Sequence, residues 1–187
     1  MAMPASAHVW RPEEARSLPD DGKRYEVIDG ALVVTPAPSW THQAALAELF
    51  VRLRAYVIEH RIGRVIFAPA DVEIDQSSLV QPDLFVVPLV GGRQPRDWSD
   101  VRELLLVVEV ISPSSARTDR QLKRKFYQRA EVPEYWLVDI DARLIERWRP
   151  SDDRPEMNDD RIEWRPDAGC PALVIDMAEY FAAVEPS

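Results

Sequence analysis

Apolar and polar positions alternate in blocks whose period changes several times along the chain. Tyr25-Glu26-Val27-Ile28 and Ala31-Leu32-Val33-Val34 predict two strands around Asp29-Gly30, a pair suited to the positive backbone angles of a two-residue hairpin turn. Ahead of them, residues 10–18 read as a short amphipathic helix. Pro36-Ala37-Pro38 breaks the hairpin, and Ser39 can cap a long helix reaching to about His60, with Leu46, Leu49, Phe50, Leu53 and Val57 on one stripe. Gly63 ends that helix. Residues 64–67, 71–74 and 80–87 then read as short strands, separated by Pro69-Ala70 and by residues 75–78.

A polar loop over residues 91–99 leads into Leu104-Leu105-Leu106-Val107-Val108-Glu109-Val110-Ile111, whose near-continuous apolar run predicts a strand buried on both faces at the centre of a sheet. Ser112-Pro113-Ser114-Ser115 interrupts the chain, and Thr118 with Gln121 predicts a capping box for a helix running to about Ala130. Residues 134–139 and 143–148 form an expected strand pair, residues 151–160 an acidic loop expected to be mobile, residues 161–165 and 172–175 further strands, and residues 177–184 a closing helix. No repeat or linker divides the chain, so residues 1–187 are expected to form one domain of the α/β or α+β class, a mixed β-sheet flanked by helices with an N-terminal β-hairpin.

Composition narrows the chemistry. With 187 residues, 46% hydrophobic and 29% charged, the chain is long enough for a substantial single core. No segment approaches the roughly 18 consecutive apolar residues of a membrane span, and Met1-Ala2-Met3-Pro4 has neither a basic start nor an apolar core, so a soluble cytoplasmic protein is expected. Cys170 is the only cysteine, which leaves no internal disulfide and no thiolate cluster. His8, His42 and His60 lack the spacing of a zinc hydrolase, so a metal would be held by carboxylate oxygens, which suits magnesium or manganese.

The net charge of -9 opposes a nucleic-acid partner, because phosphate binding is largely electrostatic. Much of that acidity sits in residues 150–187, where three Arg face ten Asp or Glu, as if in a tail. Against it, Arg117, Arg120, Lys123, Arg124, Lys125 and Arg129 surround the single carboxylate Asp119 as a local basic patch. A solvated helix face gives the same pattern. Arg117, Arg120 and Arg124 are the candidate nucleic-acid contacts.

Three residues carry the candidate chemistry. Glu109 lies inside an apolar strand, where an unpaired charge costs several kcal/mol, so either a buried basic side chain or a cation must compensate it. Asp83 interrupts a second apolar strand just after Pro82, and with Glu109 it can offer oxygen ligands to one magnesium ion. Lys123 borders the buried stripe of its helix: taking Leu122 as zero at ~100° per residue, Phe126 lies near ~40°, Ala130 near ~80° and Lys123 near ~100°. Arg124 points outward by that count. Tyr127, one turn on, either supports the same site or packs. A metal, two carboxylates and a lysine suit phosphodiester hydrolysis. Glu26 and His42 are weaker candidates as accessory ligands or proton shuttles, with surface or capping roles as the alternative.

The ordered set Tyr25-Glu26-Val27-Ile28-Asp29-Gly30, His42, Gln81-Pro82-Asp83, Val108-Glu109-Val110-Ile111-Ser112-Pro113-Ser114, Asp119-Arg120 with Lys123 and Tyr127, and Val132-Pro133-Glu134-Tyr135-Trp136-Leu137-Val138-Asp139 resembles the Uma-type family. That family, formerly a domain of unknown function, is catalogued among restriction endonucleases of the PD-(D/E)XK nuclease superfamily. The resemblance covers most of the chain and implies a restriction-endonuclease-like core over about residues 39–140, with Asp83 and Glu109 holding magnesium or manganese and Lys123 completing the catalytic set. The superfamily's usual lysine position, two residues after the strand carboxylate, is Ile111 here, so the lysine is expected to have moved to the helix.

These readings lead to a magnesium-dependent DNA endonuclease, expected as a homodimer so that two sites address two strands, with a partner protein supplying target choice. The runner-up is a nucleic-acid-binding or regulatory module that keeps the nuclease fold without turnover. A glycosidase would need the two carboxylates roughly 5 to 9.5 Å apart across an open sugar cleft and has no use for the lysine.

Overall fold

The structure, a computed structural model, describes residues 8–75, 77–98 and 101–185. Met1-Ala2-Met3-Pro4, Gln76 in the expected 75–78 turn and Ser99 at the end of the expected loop lie outside the described residues.

The chain begins with α1 (Pro12–Arg16) and an antiparallel hairpin of β1 (Arg24–Ile28) and β2 (Ala31–Thr35). At the hairpin tip Asp29 and Gly30 have φ of 52° and 76°, the left-handed pair whose twist matches that of the flanking strands. Helix α2 (Trp40–Glu59) starts where Ser39 Oγ accepts from His42 N–H at 3.2 Å. Strands β3 (Gly63–Phe67), β4 (Leu84–Pro88) and β5 (Leu106–Val110) follow. Gly63 is required at the β3 start, since an added Cβ would lie 1.8 Å from the Val87 carbonyl oxygen. Next, α3 (Ala116–Thr118), a π-helical turn (Asp119–Lys123) and α4 (Arg124–Arg129) run on without a break. The chain continues through β6 (Tyr135–Asp139), β7 (Leu144–Trp148), β8 (Glu156–Asn158), β9 (Arg161–Trp164), β10 (Leu173–Asp176) and α5 (Met177–Val184).

The main sheet has the order β3-β4-β5-β6-β7-β8 and is mixed, because β5 pairs with β6 in parallel while the other neighbours are antiparallel. The expected mixed sheet flanked by helices, with an N-terminal hairpin, is therefore the observed architecture. Strand alternation sorts the apolar run of β5 into two cores. Leu106, Val108 and Val110 face α2 and α5, among Leu49, Leu53, Tyr180 and Phe181. Val107 faces the other layer, with Phe126 and Tyr127 of α4 and Ile28 of the hairpin. Glu109 shares that second face by the same alternation, and so does Asp83 by its parity with Phe85 and Val87.

Several expected elements differ. Residues 71–74 make only the isolated bridge Val72 to Val80, and β4 begins at Leu84 rather than residue 80, because Pro82 has no N–H to give a ladder. Thr118 does not cap the second long helix. That helix begins after Ser115, and the Ser112 and Ser115 hydroxyls accept from each other's backbone N–H at 3.1 and 3.2 Å. The 151–160 segment is no featureless loop: Glu156–Asn158 forms edge strand β8, with Asn158 buried and donating to Ile145 O at 3.2 Å. Nor is the acidic C-terminal stretch a tail. Tyr180 of α5 donates to Ala45 O at 3.0 Å, and Tyr56 of α2 donates to Pro171 O at 2.6 Å, so this part closes one core. Among the described residues no helix is long and apolar enough to cross a membrane.

Candidate active site

Extending the β4–β5 register by one residue beyond Leu84 and Val108 sets Asp83 opposite Glu109. The ladder has ended there, and the carboxylate of Asp83 replaces it: Val110 N–H donates to Asp83 Oδ2 at 2.8 Å. Asp83 therefore stands at the mouth of the central strands rather than within one. Its other oxygen accepts from Arg24 Nη1 at 2.5 Å, and His42 Nε2 from the first turn of α2 comes within 3.2 Å of Oδ2. Burial alone would raise the pKa of Asp83, but the adjacent His42, the Arg24 guanidinium and the Val110 N–H together hold it below the usual carboxylate range.

Glu109 is compensated by a basic side chain. Lys123 Nζ donates to Glu109 Oε1 at 2.9 Å, pairs with Glu26 Oε2 at 2.8 Å, and lies 3.8 Å from Asp119 Oδ1. All four side chains are almost wholly buried. Asp119 and Lys123, four residues apart on the π-helical turn, reach the same buried point, so Lys123 is buried rather than at the stripe's border. Glu26 is fixed by accepting Gln81 N–H at 2.8 Å, a contact made possible by the backbone pairing of Val27 with Leu79. Burial pushes the Glu109 carboxyl well up, partly opposed by Lys123 and reinforced by Asp83, Asp119 and Glu26. Burial also raises Asp119, again opposed by Lys123. For Lys123, burial lowers the pKa but the surrounding carboxylates win, so the ammonium stays charged.

A polar cleft of about 260 Å³ opens over this cluster, lined by Asp83, Glu109, Asp119, Lys123, Arg24 and His42, with the Ser112-Pro113-Ser114-Ser115 loop along it. Tyr127 is buried in the adjacent core, its hydroxyl without a hydrogen-bond partner and its pKa raised by burial and by Glu109. Neither Tyr127 nor Glu26 lines the cleft.

The structure thus brings together Asp83, Glu109, Lys123, Glu26 and His42. Glu26 and His42 are both buried, not in surface or capping roles, since the hairpin and the start of α2 fold onto the ends of β4 and β5. Sequence reasoning passed over Arg24 and read Asp119 only as a lone acid in a basic patch. Both carried a signal: Arg24 shares a strand face with Glu26 at i, i+2, and Asp119 stands at i, i+4 from Lys123. The patch itself is largely paired. Arg120 contacts Asp139 and Glu146, with its Nε 2.7 Å from Glu146 Oε1, and Arg124 lies over the Trp148 ring at 4.6 Å and donates to Gln128. Arg117 is exposed, with Nε 3.5 Å from Gln121 Oε1.

Among the described residues no three His, Cys, Asp or Glu side chains converge as metal ligands, because the carboxylates turn onto Lys123 and Arg24. The chemistry of the donor set still fits a hard divalent cation. Four carboxyl groups, Glu26, Asp83, Glu109 and Asp119, surround only two permanent cations, Arg24 and Lys123, and a bound dication would favour the ionised form of the raised Glu109 and Asp119 and take their oxygens as ligands.

A solved structure described as "a putative nuclease belonging to DUF820", from Anabaena variabilis, is similar at a TM-score of 0.75 and 18% identity, covering 94% of this chain and 99% of the other. At that identity the likeness is one of fold. No curated protein matches the sequence significantly. The model of the Uma2 family, described as "Putative restriction endonuclease", matches residues 12–159. That span is well over half of the 187 residues, and the chain belongs to the Uma2 family.

Proposed function

We propose that the protein is a metal-dependent endodeoxyribonuclease of the PD-(D/E)XK type, with Asp83, Glu109 and Lys123 as its catalytic residues. One observation carries the reading: Asp83, Glu109 and Lys123, contributed by the ends of two adjacent strands and a facing helix, line a single polar cleft. Asp83 and Glu109 would hold magnesium or manganese, with Asp119 within the same cluster. When bound, such an ion supplies a Lewis acid for a phosphoryl oxygen and lowers the pKa of a water ligand.

The chain's own residues do the rest. Water attacks phosphorus and releases a proton, the bond to the leaving oxygen breaks, and that oxygen gains a proton, so one proton is given up and one taken in each cut. Lys123, charged and fixed by Glu26 and Glu109, stabilises the negative charge that builds on the phosphoryl oxygens. His42, at the cleft wall beside Asp83, is placed to shuttle a proton to or from solvent. Arg24 keeps Asp83 ionised and oriented. Burial of the cluster strengthens each of these interactions relative to water.

A second reading, a nucleic-acid-binding or regulatory module without turnover, is favoured by one specific feature: Lys123 already draws three carboxylates onto its own ammonium. Supercoiled plasmid incubated with magnesium, with manganese and with chelator separates the two. Metal-dependent nicking or linearisation that is lost in Glu109→Ala, Asp83→Ala and Lys123→Ala supports the nuclease. DNA bound under every condition but never cut supports the binding module. Dimerisation, which would let two sites address two strands, and a partner protein that chooses the target belong to the same proposal.

A further inference from the structure

A second cavity adjoins the polar cleft and differs from it in kind. It encloses about 410 Å³, and Arg24, Pro38, His42 and Asp83 line both spaces. Its remaining walls are mainly apolar, formed by Leu46, Ala47 and Phe50 of α2, by Phe67 at the end of β3 and by Pro69 beyond it. Phe50 and Phe67 meet edge to face at 5.1 Å and 84°, yet Phe67 remains 55% exposed, so part of an aromatic ring lies open at the rim. The exposed Gln43 amide, one turn ahead of Ala47, adds a donor and an acceptor to the same wall.

We propose that this cavity is a nucleobase subsite, which receives one unstacked base of the strand whose phosphate lies in the polar cleft. The inference rests on the nuclease reading and adds the form of the substrate. Because Arg24, His42 and Asp83 line both spaces, an occupant of the cavity sits beside the phosphate position. Apolar walls and an open ring accept a flat π-surface of any base, while an amide at the edge supplies hydrogen bonds without a charge. A cavity of about 410 Å³ admits a base and excludes a duplex, so the strand must be single or locally unpaired where it is cut.

The test uses the full chain with calcium in place of magnesium, so that a hard cation fills the carboxylate site, and two fluorescein-labelled probes: a chain of abasic deoxyribose phosphate units, and the same chain carrying one central thymine. Anisotropy should show the thymine probe binding about tenfold more tightly, the scale expected for one stacked base. Phe67→Ala, which removes the open ring, and Ala47→Trp, which fills the cavity from an exposed helix position, should each erase that preference while the protein stays folded. Equal affinity for the two probes, or a preference that survives Ala47→Trp, overturns the subsite, and so points to another occupant such as an apolar side chain of a protein partner. Base-dependent binding by a protein that never cuts DNA keeps the subsite and removes the hydrolysis. Metal-dependent cutting that ignores both the missing bases and Ala47→Trp keeps the hydrolysis and removes the subsite.

Discussion

Lys123 Nζ lies 2.9 Å from Glu109 Oε1 with both side chains 2% exposed, so the helix over the second core is tied to the central strand by a fully buried ion pair. Such pairs are unforgiving when halved, because the remaining charge is left without water or partner. Lys123→Ala is expected to lower folding stability by about 3–5 kcal/mol and to abolish cutting. Denaturant unfolding and plasmid nicking on the same preparation check this; a variant as stable as the parent would mean that the carboxylates are compensated by something other than Lys123.

Magnesium should stabilise the protein through the carboxylate excess around the cleft. At a concentration near 100 times its dissociation constant the gain is about 2.7 kcal/mol, read as a rise in unfolding temperature. Glu109→Ala should show no such rise. An equal rise in that variant places the ion elsewhere.

Glu26 is a positioning residue for Lys123 rather than a lining residue of the cleft. Glu26→Gln keeps its size and its capacity to accept from Gln81 N–H, but removes the charge that holds the ammonium. The rate of cutting should fall on the order of 10–100-fold through loss of positioning, with the KM for DNA little changed. An unchanged kcat would leave Glu26 a purely structural partner of Gln81.

Glu134, away from the cleft, gives a pH prediction free of metal effects. Burial raises its pKa above the ordinary 4.5, although it accepts from Trp136 Nε1 at 2.8 Å and faces Arg147 at 3.9 Å. A carboxyl that holds its proton more tightly folded than unfolded contributes stability below about pH 4.5 that is lost as pH rises through its folded value. Glu134→Gln keeps the bond from Trp136 and should therefore be more stable than the parent at pH 7, the gap closing as pH falls through the raised folded value and gone by about pH 4.5. Unfolding temperatures measured across that range decide it; a gap that stays constant with pH would show that Glu134 does not titrate with folding.

The elements that were legible in the sequence were those with strong local patterning. The Asp29-Gly30 hairpin, the α2 stripe and the apolar run around Glu109 each announce themselves through turn chemistry or period. The weaker segments, residues 71–74 and 151–160, depended on which neighbour they met. The first pairs through one bridge only, and the second becomes an edge strand because β7 offers it a partner.

The sequence by itself determined the presence of two carboxylates in apolar strands, a helical lysine and the family to which this order of residues belongs, because burial cost and periodicity are local properties of the chain. Only the tertiary structure decided that Glu26, Arg24, His42 and Asp119 join them. Spacing alone relates Asp119 to Lys123 and Arg24 to Glu26, but the hairpin that carries Arg24 and Glu26 and the start of α2 that carries His42 reach Asp83, Glu109 and Lys123 only through long-range packing. The fold likewise decided that the basic patch is largely spent on internal partners, since Arg120 meets Asp139 and Glu146 only after β6 and β7 are paired.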